Sequence, residues 1–241
     1  MTEIIEEIAH INGIPQKLVV FLHGYIDCAE AVDKVIAQEL TQKLEDCAVH
    51  IPQAPIPCEI HERKRQWYSM HRFDPEDSRK TVPTMKECSE IYNKMALGFA
   101  EAFDYLNPYI DNLLNEYQLD DRDLYICGFS QGAMLALYTS LMRENEIAGC
   151  VSFSGILAPS AYLLKHYKNT PPMFLIHGDA DNLVRFAALD FTRRNLKKIG
   201  CPVNTHIVRE GQHRITPDGL KCALRFINRE RTPEIIKKAA G

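Results

Sequence analysis

The stretch Gly128-Phe129-Ser130-Gln131-Gly132 lies between a short apolar run, Leu124-Tyr125-Ile126-Cys127, and a longer stretch with helical spacing at 133–142. A G-x-S-x-G pattern in this position predicts a sharp strand-to-helix turn that exposes the serine hydroxyl at the edge of a sheet. The flanking glycines suit such a turn, because a Cβ at either position would collide with neighbouring backbone. The stretch therefore predicts a nucleophilic Ser130; the alternative is a glycine-rich turn with an idle serine.

Apolar runs alternate with helical stretches along the rest of the chain. Short runs rich in β-branched and aromatic residues predict strands at 18–22, 48–51, 124–127, 147–153, 173–176 and 203–208. Helical spacing occurs at 31–44, 85–117, 133–142, 186–199 and 220–227. Gly98 and Pro108 leave open whether the second of these is one helix or two. The alternation predicts an α/β fold with a mostly parallel central sheet flanked by helices on both faces.

The chain length and one irregular region define the predicted domain organisation. A chain of 241 residues is typical of a single α/β domain, here spanning residues 1–241. Residues 52–83 contain five prolines and interrupt the alternation of strands and helices. This region is too long for an ordinary connection, so we expect a lid-like excursion over one face. From about residue 231 we expect a loosely docked C-terminal tail.

The charge balance and the apolar runs exclude several classes of protein. The 28 Lys and Arg residues against 32 Asp and Glu residues give a net charge of −4, whereas nucleic-acid-binding domains are usually basic. No run approaches the roughly 18 apolar residues that span a bilayer, so we expect no stable membrane insertion. The acidic start of the chain, from Met1 to Glu7, lacks the positive charge of a signal peptide. We therefore expect a cytoplasmic protein that does not bind nucleic acid.

The eight cysteines are expected to be free thiols, because a disulfide framework belongs to short secreted chains. Cys127 and Cys150 lie inside apolar runs and are expected to be buried. The pair Cys58-x-x-His61 comes nearest to a metal half-site, but it has no clear second pair. The sequence therefore predicts no metal site.

A serine hydroxyl reacts only when a base takes its proton, and the base needs an orienting acid. In α/β-hydrolases these partners follow the serine in the order acid, then histidine, each after a later strand. The run at 173–176 is followed by Asp179 and Asp181, and spacing alone does not choose between them. Of two later histidines, His206 lies inside a predicted strand and His213 in the loop after it. The loop position of His213 favours this histidine as the base.

The loop after the strand at 18–22 has the sequence His23-Gly24-Tyr25. Acyl transfer needs backbone N–H groups aimed at the developing oxyanion. In α/β-hydrolases one donor is the residue after the nucleophile, here Gln131, and the other comes from this early loop, where Tyr25 lies. The side chain of His23 is expected to have a structural role, with its imidazole hydrogen-bonded to backbone.

A set of short motifs, spread in order along the whole chain, is more specific than the G-x-S-x-G pattern alone. The motifs are Val20-Phe21-Leu22-His23-Gly24, Pro52-Gln53-Ala54-Pro55, Arg65-Gln66-Trp67-Tyr68, Gly128-Phe129-Ser130-Gln131-Gly132, Phe153-Ser154-Gly155, His177-Gly178-Asp179-Ala180-Asp181 and His213. Together they resemble the acyl-protein thioesterase/carboxylesterase (lysophospholipase-type) family of small α/β-hydrolases. The resemblance implies an α/β-hydrolase fold without a cofactor. It also implies that Asp181 is the acid, His213 the base, and the backbones of Tyr25 and Gln131 the oxyanion donors. The chain departs from the family at Asn182 and Arg185, where prolines are usual.

The predicted function is a serine hydrolase that acts on a small acyl ester, a thioester or an acylated substrate. Trp67, Met70 and Phe73 on the excursion are expected to line or cover an acyl groove; the alternative is that Trp67 only pins the loop to the domain. A lysophospholipase or a short-chain esterase would use the same machinery. A non-catalytic binding protein on a hydrolase fold is the alternative from another class. The resemblance also leaves a homodimer open, as some family members self-associate.

Overall fold

The computed structural model describes residues 6–73 and 85–229. The elements in chain order are β1 (Glu7–Asn12), β2 (Lys17–Leu22), α1 (Ala29–Lys43), β3 (Cys47–Pro52), β4 (Ile56–Cys58), β5 (His61–Gln66), α2 (Met70–Phe73), α3 (Met85–Tyr117), β6 (Leu124–Phe129), α4 (Gln131–Met142), β7 (Gly149–Phe153), α5 (Ala161–His166), β8 (Met173–Gly178), α6 (Ala187–Lys198), β9 (Val203–Val208) and α7 (Pro217–Ile227). The tail expected from about residue 231 and the end of the excursion, 74–83, lie outside the described residues.

Within residues 6–73 and 85–229, the central sheet has seven strands in the order β1-β3-β2-β6-β7-β8-β9. The edge strand β1 is antiparallel to its neighbour β3, and the pairs from β3 to β9 are parallel. Each strand predicted from the apolar runs is present in this sheet. The strands β4 and β5 form a separate antiparallel hairpin within the excursion. The prediction of an α/β fold with a mostly parallel sheet is therefore confirmed.

Each face of the sheet is covered by helices, as parallel sheets require. Along β2, alternate side chains enter two different cores. Leu18, Val20 and Leu22 pack in the core shared with α3 and α4, whereas Val19 and Phe21 pack in the core shared with α1 and α7. Burial on both faces explains why the strands are apolar at consecutive positions.

Helix α3 runs unbroken from Met85 to Tyr117, so the one-helix alternative is confirmed. Pro108 lies inside the helix without ending it. Gly98 has a packing role instead, because a Cβ there would lie 2.9 Å from ring atoms of both Phe73 and Tyr68. The absent side chain lets the excursion pack directly on the helix.

The cysteines whose side chains are described are all free thiols, as expected. Cys127 and Cys150 are buried in the sheet, and burial raises the pKa of the Cys150 thiol to about 12. Among the described residues, no helix combines the length and apolar character needed to cross a bilayer.

Candidate active site

Ser130 occupies a strained turn between β6 and α4, with φ of 53° and ψ of −118°. A Cβ on Gly128 would lie 2.4 Å from the carbonyl oxygen of Gly132, and a Cβ on Gly132 would lie 2.2 Å from that of Leu22. Both glycines are therefore needed for the turn to pack. The Ser130 side chain does not cap α4, although the residue stands at the N-cap position. The hydroxyl is thus available for another partner.

The three side chains expected to carry the chemistry form one hydrogen-bonded chain. The His213 Nε2 atom lies 2.9 Å from the Ser130 Oγ atom. On the other side of the ring, the His213 Nδ1 atom lies 2.8 Å from the Asp181 Oδ2 atom. The structure thus brings together a hydroxyl, an imidazole and a carboxylate from β6–α4, the loop after β9 and the loop after β8.

The Asp181 carboxylate is buried and ionised. Burial alone would raise its pKa, but hydrogen bonds from His213 and Ser154 and from the Val184 backbone outweigh burial, so the pKa is lowered. Its Oδ1 atom accepts the Leu183 N–H at 3.0 Å and the Val184 N–H at 2.9 Å. An ionised carboxylate only accepts hydrogen bonds, so the proton of the neutral imidazole sits on Nδ1. The Nε2 atom is left as the acceptor that faces the serine hydroxyl.

The two alternative residues have other partners. The Asp179 Oδ2 atom lies 3.2 Å from the Arg209 Nη1 atom, in an ion pair at the surface. His206 lies on β9, and its Nε2 atom is 2.7 Å from the Asp218 Oδ2 atom on α7. The structure therefore brings Asp181, and not Asp179, to the histidine that contacts the serine.

The loop that carries Tyr25 lies directly against the nucleophile turn. A Cβ built on Gly24 would be 3.5 Å from the Ser130 Cβ atom and 3.2 Å from the Phe129 ring. Gln131, on the other side of the serine, is the first residue of α4. Gly24, the residue before Tyr25, and Gln131 thus lie on either side of Ser130, and the positive end of the α4 dipole lies beside the site.

His23 holds the same loop from inside. Its Nδ1–H donates to the Gly24 carbonyl oxygen at 2.8 Å, and its Nε2 accepts the Ala54 N–H at 3.0 Å. Burial lowers the pKa of His23 to about 4, so the ring is neutral at pH 7. The structural role predicted for this side chain is confirmed.

The excursion is anchored to both sides of the nucleophile. The Gln131 amide oxygen accepts the Trp67 N–H at 2.9 Å, and its amide nitrogen donates to the Tyr68 carbonyl oxygen at 2.9 Å. The Trp67 indole donates to the His23 carbonyl oxygen at 2.9 Å. This double anchorage was not predicted, because nothing in the sequence assigns a role to the Gln131 side chain.

The side chains of Trp67, Met70 and Phe73 were expected to line or cover an acyl groove. The structure instead buries all three in the core on the α3 side of the sheet. Their burial favours the alternative in which this segment is pinned to the domain, because a side chain enclosed by the core offers no surface to a ligand.

Two residues that support the acid were missed. The Ser154 side chain hydrogen-bonds to Asp181, and its backbone has a positive φ of 50°. The His177 Nε2–H donates to the Val184 carbonyl oxygen at 2.8 Å, which fixes the loop after Asp181. Ser154 and His177 both lie in motifs that carry the family resemblance, but no rule of sequence spacing predicts a role for either side chain. The signal was their position at the ends of β7 and β8, the edge where Ser130 lies.

The fold and the geometry agree with the comparison to known proteins. The model of the phospholipase/carboxylesterase family matches residues 4–230. The chain belongs to this family. The phospholipase/carboxylesterase chain described here is therefore an ester or thioester hydrolase.

Individual relatives cover almost the whole of this family member. Acyl-protein thioesterase 1 of Neurospora crassa is 25% identical over 230 residues, which cover 92% of this chain and 89% of that protein. Acyl-protein thioesterase 1 of Candida albicans is 22% identical over 229 residues, with 90% and 93% covered. The solved structure of esterase PE8 is similar at a TM-score of 0.78 and 26% identity, covering 92% of this chain and 96% of that one. The solved structure of Arabidopsis thaliana SOBER1 shares the fold, with a TM-score of 0.71 and 21% identity; the match covers 88% of this chain and 97% of that one.

Proposed function

We propose that this phospholipase/carboxylesterase family member hydrolyses acyl thioesters and esters through an acyl-enzyme on Ser130. His213 is the general base and acid, and Asp181 orients it. The observation that carries the proposal is the hydrogen-bonded chain from the Ser130 hydroxyl through His213 to Asp181, with distances of 2.9 and 2.8 Å. The strained backbone of Ser130 supports it, because such strain is typical of a nucleophile turn.

In the first half-reaction, His213 Nε2 takes the hydroxyl proton as Ser130 Oγ attacks the acyl carbonyl carbon. The tetrahedral oxyanion accepts hydrogen bonds from the backbone N–H groups of Tyr25 and Gln131. The ionised Asp181 stabilises the imidazolium and keeps its Nδ1–H oriented. His213 then gives its proton to the leaving alcohol or thiol, and the acyl group remains on the serine.

In the second half-reaction, water replaces the leaving group. His213 removes a proton from the water as the water oxygen attacks the acyl carbonyl carbon of the acyl-enzyme. When the second tetrahedral intermediate collapses, His213 returns the proton to Ser130 Oγ and the carboxylic acid is released. The oxyanion donors act in both steps, and each such donor contributes about 3–4 kcal/mol to lowering the barrier.

For the substrate, we propose S-acylated peptides or proteins. The relatives named acyl-protein thioesterase match along most of their length. Exposed apolar side chains on loops that carry the site also support an apolar acyl group: Ile26 follows Tyr25, and Leu183 and Phe186 follow Asp181, with exposures of 37, 68 and 36%. Lysophospholipids and short-chain esters are the competing substrates, since the same machinery cleaves them.

The nucleophile is tested by comparing wild type with Ser130→Ala on an octanoyl thioester and on p-nitrophenyl acetate. Loss of a triad residue in this chemistry lowers kcat by about 10⁴–10⁶-fold, and we expect a loss in this range. Ser69→Ala is the matched control, because Ser69 bonds Glu59 on the excursion and not the triad. Equal turnover by Ser130→Ala and wild type would contradict the proposal, as would the absence of turnover by folded wild type, which would favour the non-catalytic alternative.

The substrate is tested with the wild type and a matched series of acyl chains. We expect kcat/KM to rise from acetyl to octanoyl and longer chains, and an S-acylated peptide to be cleaved faster than lysophosphatidylcholine. Confinement of activity to acetyl and butyryl esters would favour a short-chain esterase, and preference for the lysolipid would favour a lysophospholipase. Both results would leave the nucleophile assignment intact and overturn the substrate assignment.

A further inference from the structure

Three metal-ligating side chains meet outside the active site, between β9 and α7. His206 lies on β9, and Asp218 and Cys222 lie one turn apart on α7. One ligand atom of each lies within 4.8 Å of the others. Of the described residues, these are the one group of His, Cys, Asp and Glu side chains that is clustered in this way. The active-site chemistry uses none of the three.

We propose that His206, Asp218 and Cys222 bind a zinc ion, with water as the fourth ligand. Imidazole nitrogen, carboxylate oxygen and thiolate sulfur are the donors that Zn²⁺ prefers. A thiolate and a carboxylate together neutralise the two positive charges of the ion. Cys222 binds as the thiolate, so its proton is released to solvent when the metal enters.

The distances fit such a site after a small movement. Ligand atoms around tetrahedral zinc lie about 3.3–3.8 Å apart, so no separation within 4.8 Å needs to close by more than about 1.5 Å. The Asp218 side chain is 65% exposed and the His206 side chain 27% exposed, which leaves both able to turn towards an ion. The His206–Asp218 hydrogen bond, at 2.7 Å, keeps two of the ligands side by side across the strand and the helix, and these two atoms need to separate by about 0.6 Å when the ion replaces the proton between them.

The site has a structural consequence for the active site. His213 lies on the segment between β9 and α7, so the ligands stand on both sides of it in the chain. A metal that joins β9 to α7 would therefore hold both ends of this segment without touching the reacting atoms.

Cobalt binding tests the ligands directly. The EDTA-treated full chain is titrated with Co²⁺, and a thiolate-to-cobalt charge-transfer band is expected that Zn²⁺ abolishes by displacing the cobalt. The band should be lost in Cys222→Ser and His206→Asn. It should persist in Cys28→Ser, which removes another partly exposed thiol, and in His213→Ala, which removes the active-site imidazole. No band in folded wild type, or an unchanged band in Cys222→Ser, would overturn the proposal.

Stability provides a second readout that is independent of hydrolysis. At free Zn²⁺ about 100-fold above its Kd, we expect the Tm of the wild type to rise by about 5–10 °C. Amide exchange in residues 209–216 should slow at the same time. The Tm of Cys222→Ser and His206→Asn should not respond. Equal Tm shifts in wild type and both variants would show that zinc binds elsewhere and would refute the site.

Discussion

Replacing Asp181 by asparagine tests how the carboxylate sets the tautomer of His213. The Oδ1 atom of Asp181 accepts the N–H groups of Leu183 and Val184, so in Asp181→Asn the amide oxygen keeps this position. The amide NH₂ group then faces His213 Nδ1, which has to accept a hydrogen bond instead of donating one. The ring proton moves to Nε2, and Nε2–H donates to Ser130 Oγ. The nucleophile has then lost its base.

The size of the effect follows from this change of tautomer. The same substitution in serine proteases, where the geometry is kept and the tautomer is wrong, lowers kcat by about 10⁴-fold. That factor corresponds to about 5 kcal/mol of barrier. We therefore expect kcat/KM of Asp181→Asn to fall by about 10³–10⁴-fold. The assay is hydrolysis of p-nitrophenyl octanoate, with far-ultraviolet circular dichroism and Tm as checks on folding.

Asp179→Asn is the matched control, because Asp179 lies two residues away on the same loop. Its partner Arg209 is 84% exposed at the side chain, and exposed ion pairs of this kind contribute about 0–1 kcal/mol. We expect Asp179→Asn to keep its activity within about twofold. Activity of folded Asp181→Asn within about tenfold of wild type would show that Asp181 does not set the His213 tautomer. A larger loss in Asp179→Asn than in Asp181→Asn would move the acid assignment to Asp179.

Three further substitutions test the support of the site. Gly132→Ala should reduce the free energy of unfolding, measured in urea, by at least about 3 kcal/mol, because the new Cβ would lie 2.2 Å from the Leu22 carbonyl oxygen. A reduction below about 0.5 kcal/mol would contradict this. Ser154→Ala removes a hydrogen bond to Asp181, so kcat/KM should fall about tenfold, and unchanged kinetics would argue against its role. The pKa of His23 falls from 6.5 to about 4 on folding, so the unfolded chain binds more protons between these values and stability rises with pH there. As pH falls from 6.5 to 4, wild type should lose about 3 kcal/mol more stability than His23→Gln, and parallel urea-unfolding curves would contradict this.

The parallel part of the fold was predictable because its strands are buried on both faces. Runs such as 18–22 and 173–176 are apolar at consecutive positions, a pattern that can be recognised in the sequence alone and that indicates a buried strand. The strand β1, Glu7–Asn12, was missed because it lies at the edge of the sheet and all six of its residues are at least partly exposed. The hairpin strand β5, His61–Gln66, was missed because it is largely polar and sits outside the main sheet.

Within the site, sequence order predicted the types of residue, and geometry was needed for their partners. G-x-S-x-G singled out Ser130, and the order of elements favoured His213, because both follow strand ends. Spacing could not choose between Asp179 and Asp181, since the choice depends on which carboxylate the loop turns inward. Nor could it show that Trp67 points into the core, because an apolar side chain on a loop can cover a groove or anchor the loop.

The nucleophile is measured most directly by fluorophosphonate labelling of the full chain, with the modified residue identified by mass spectrometry. A fluorophosphonate reacts with a serine that has been activated as a nucleophile. We predict one adduct, on Ser130, that is absent from Ser130→Ala and forms much more slowly in His213→Ala. Labelling of a different serine, or no labelling of folded wild type, would contradict it.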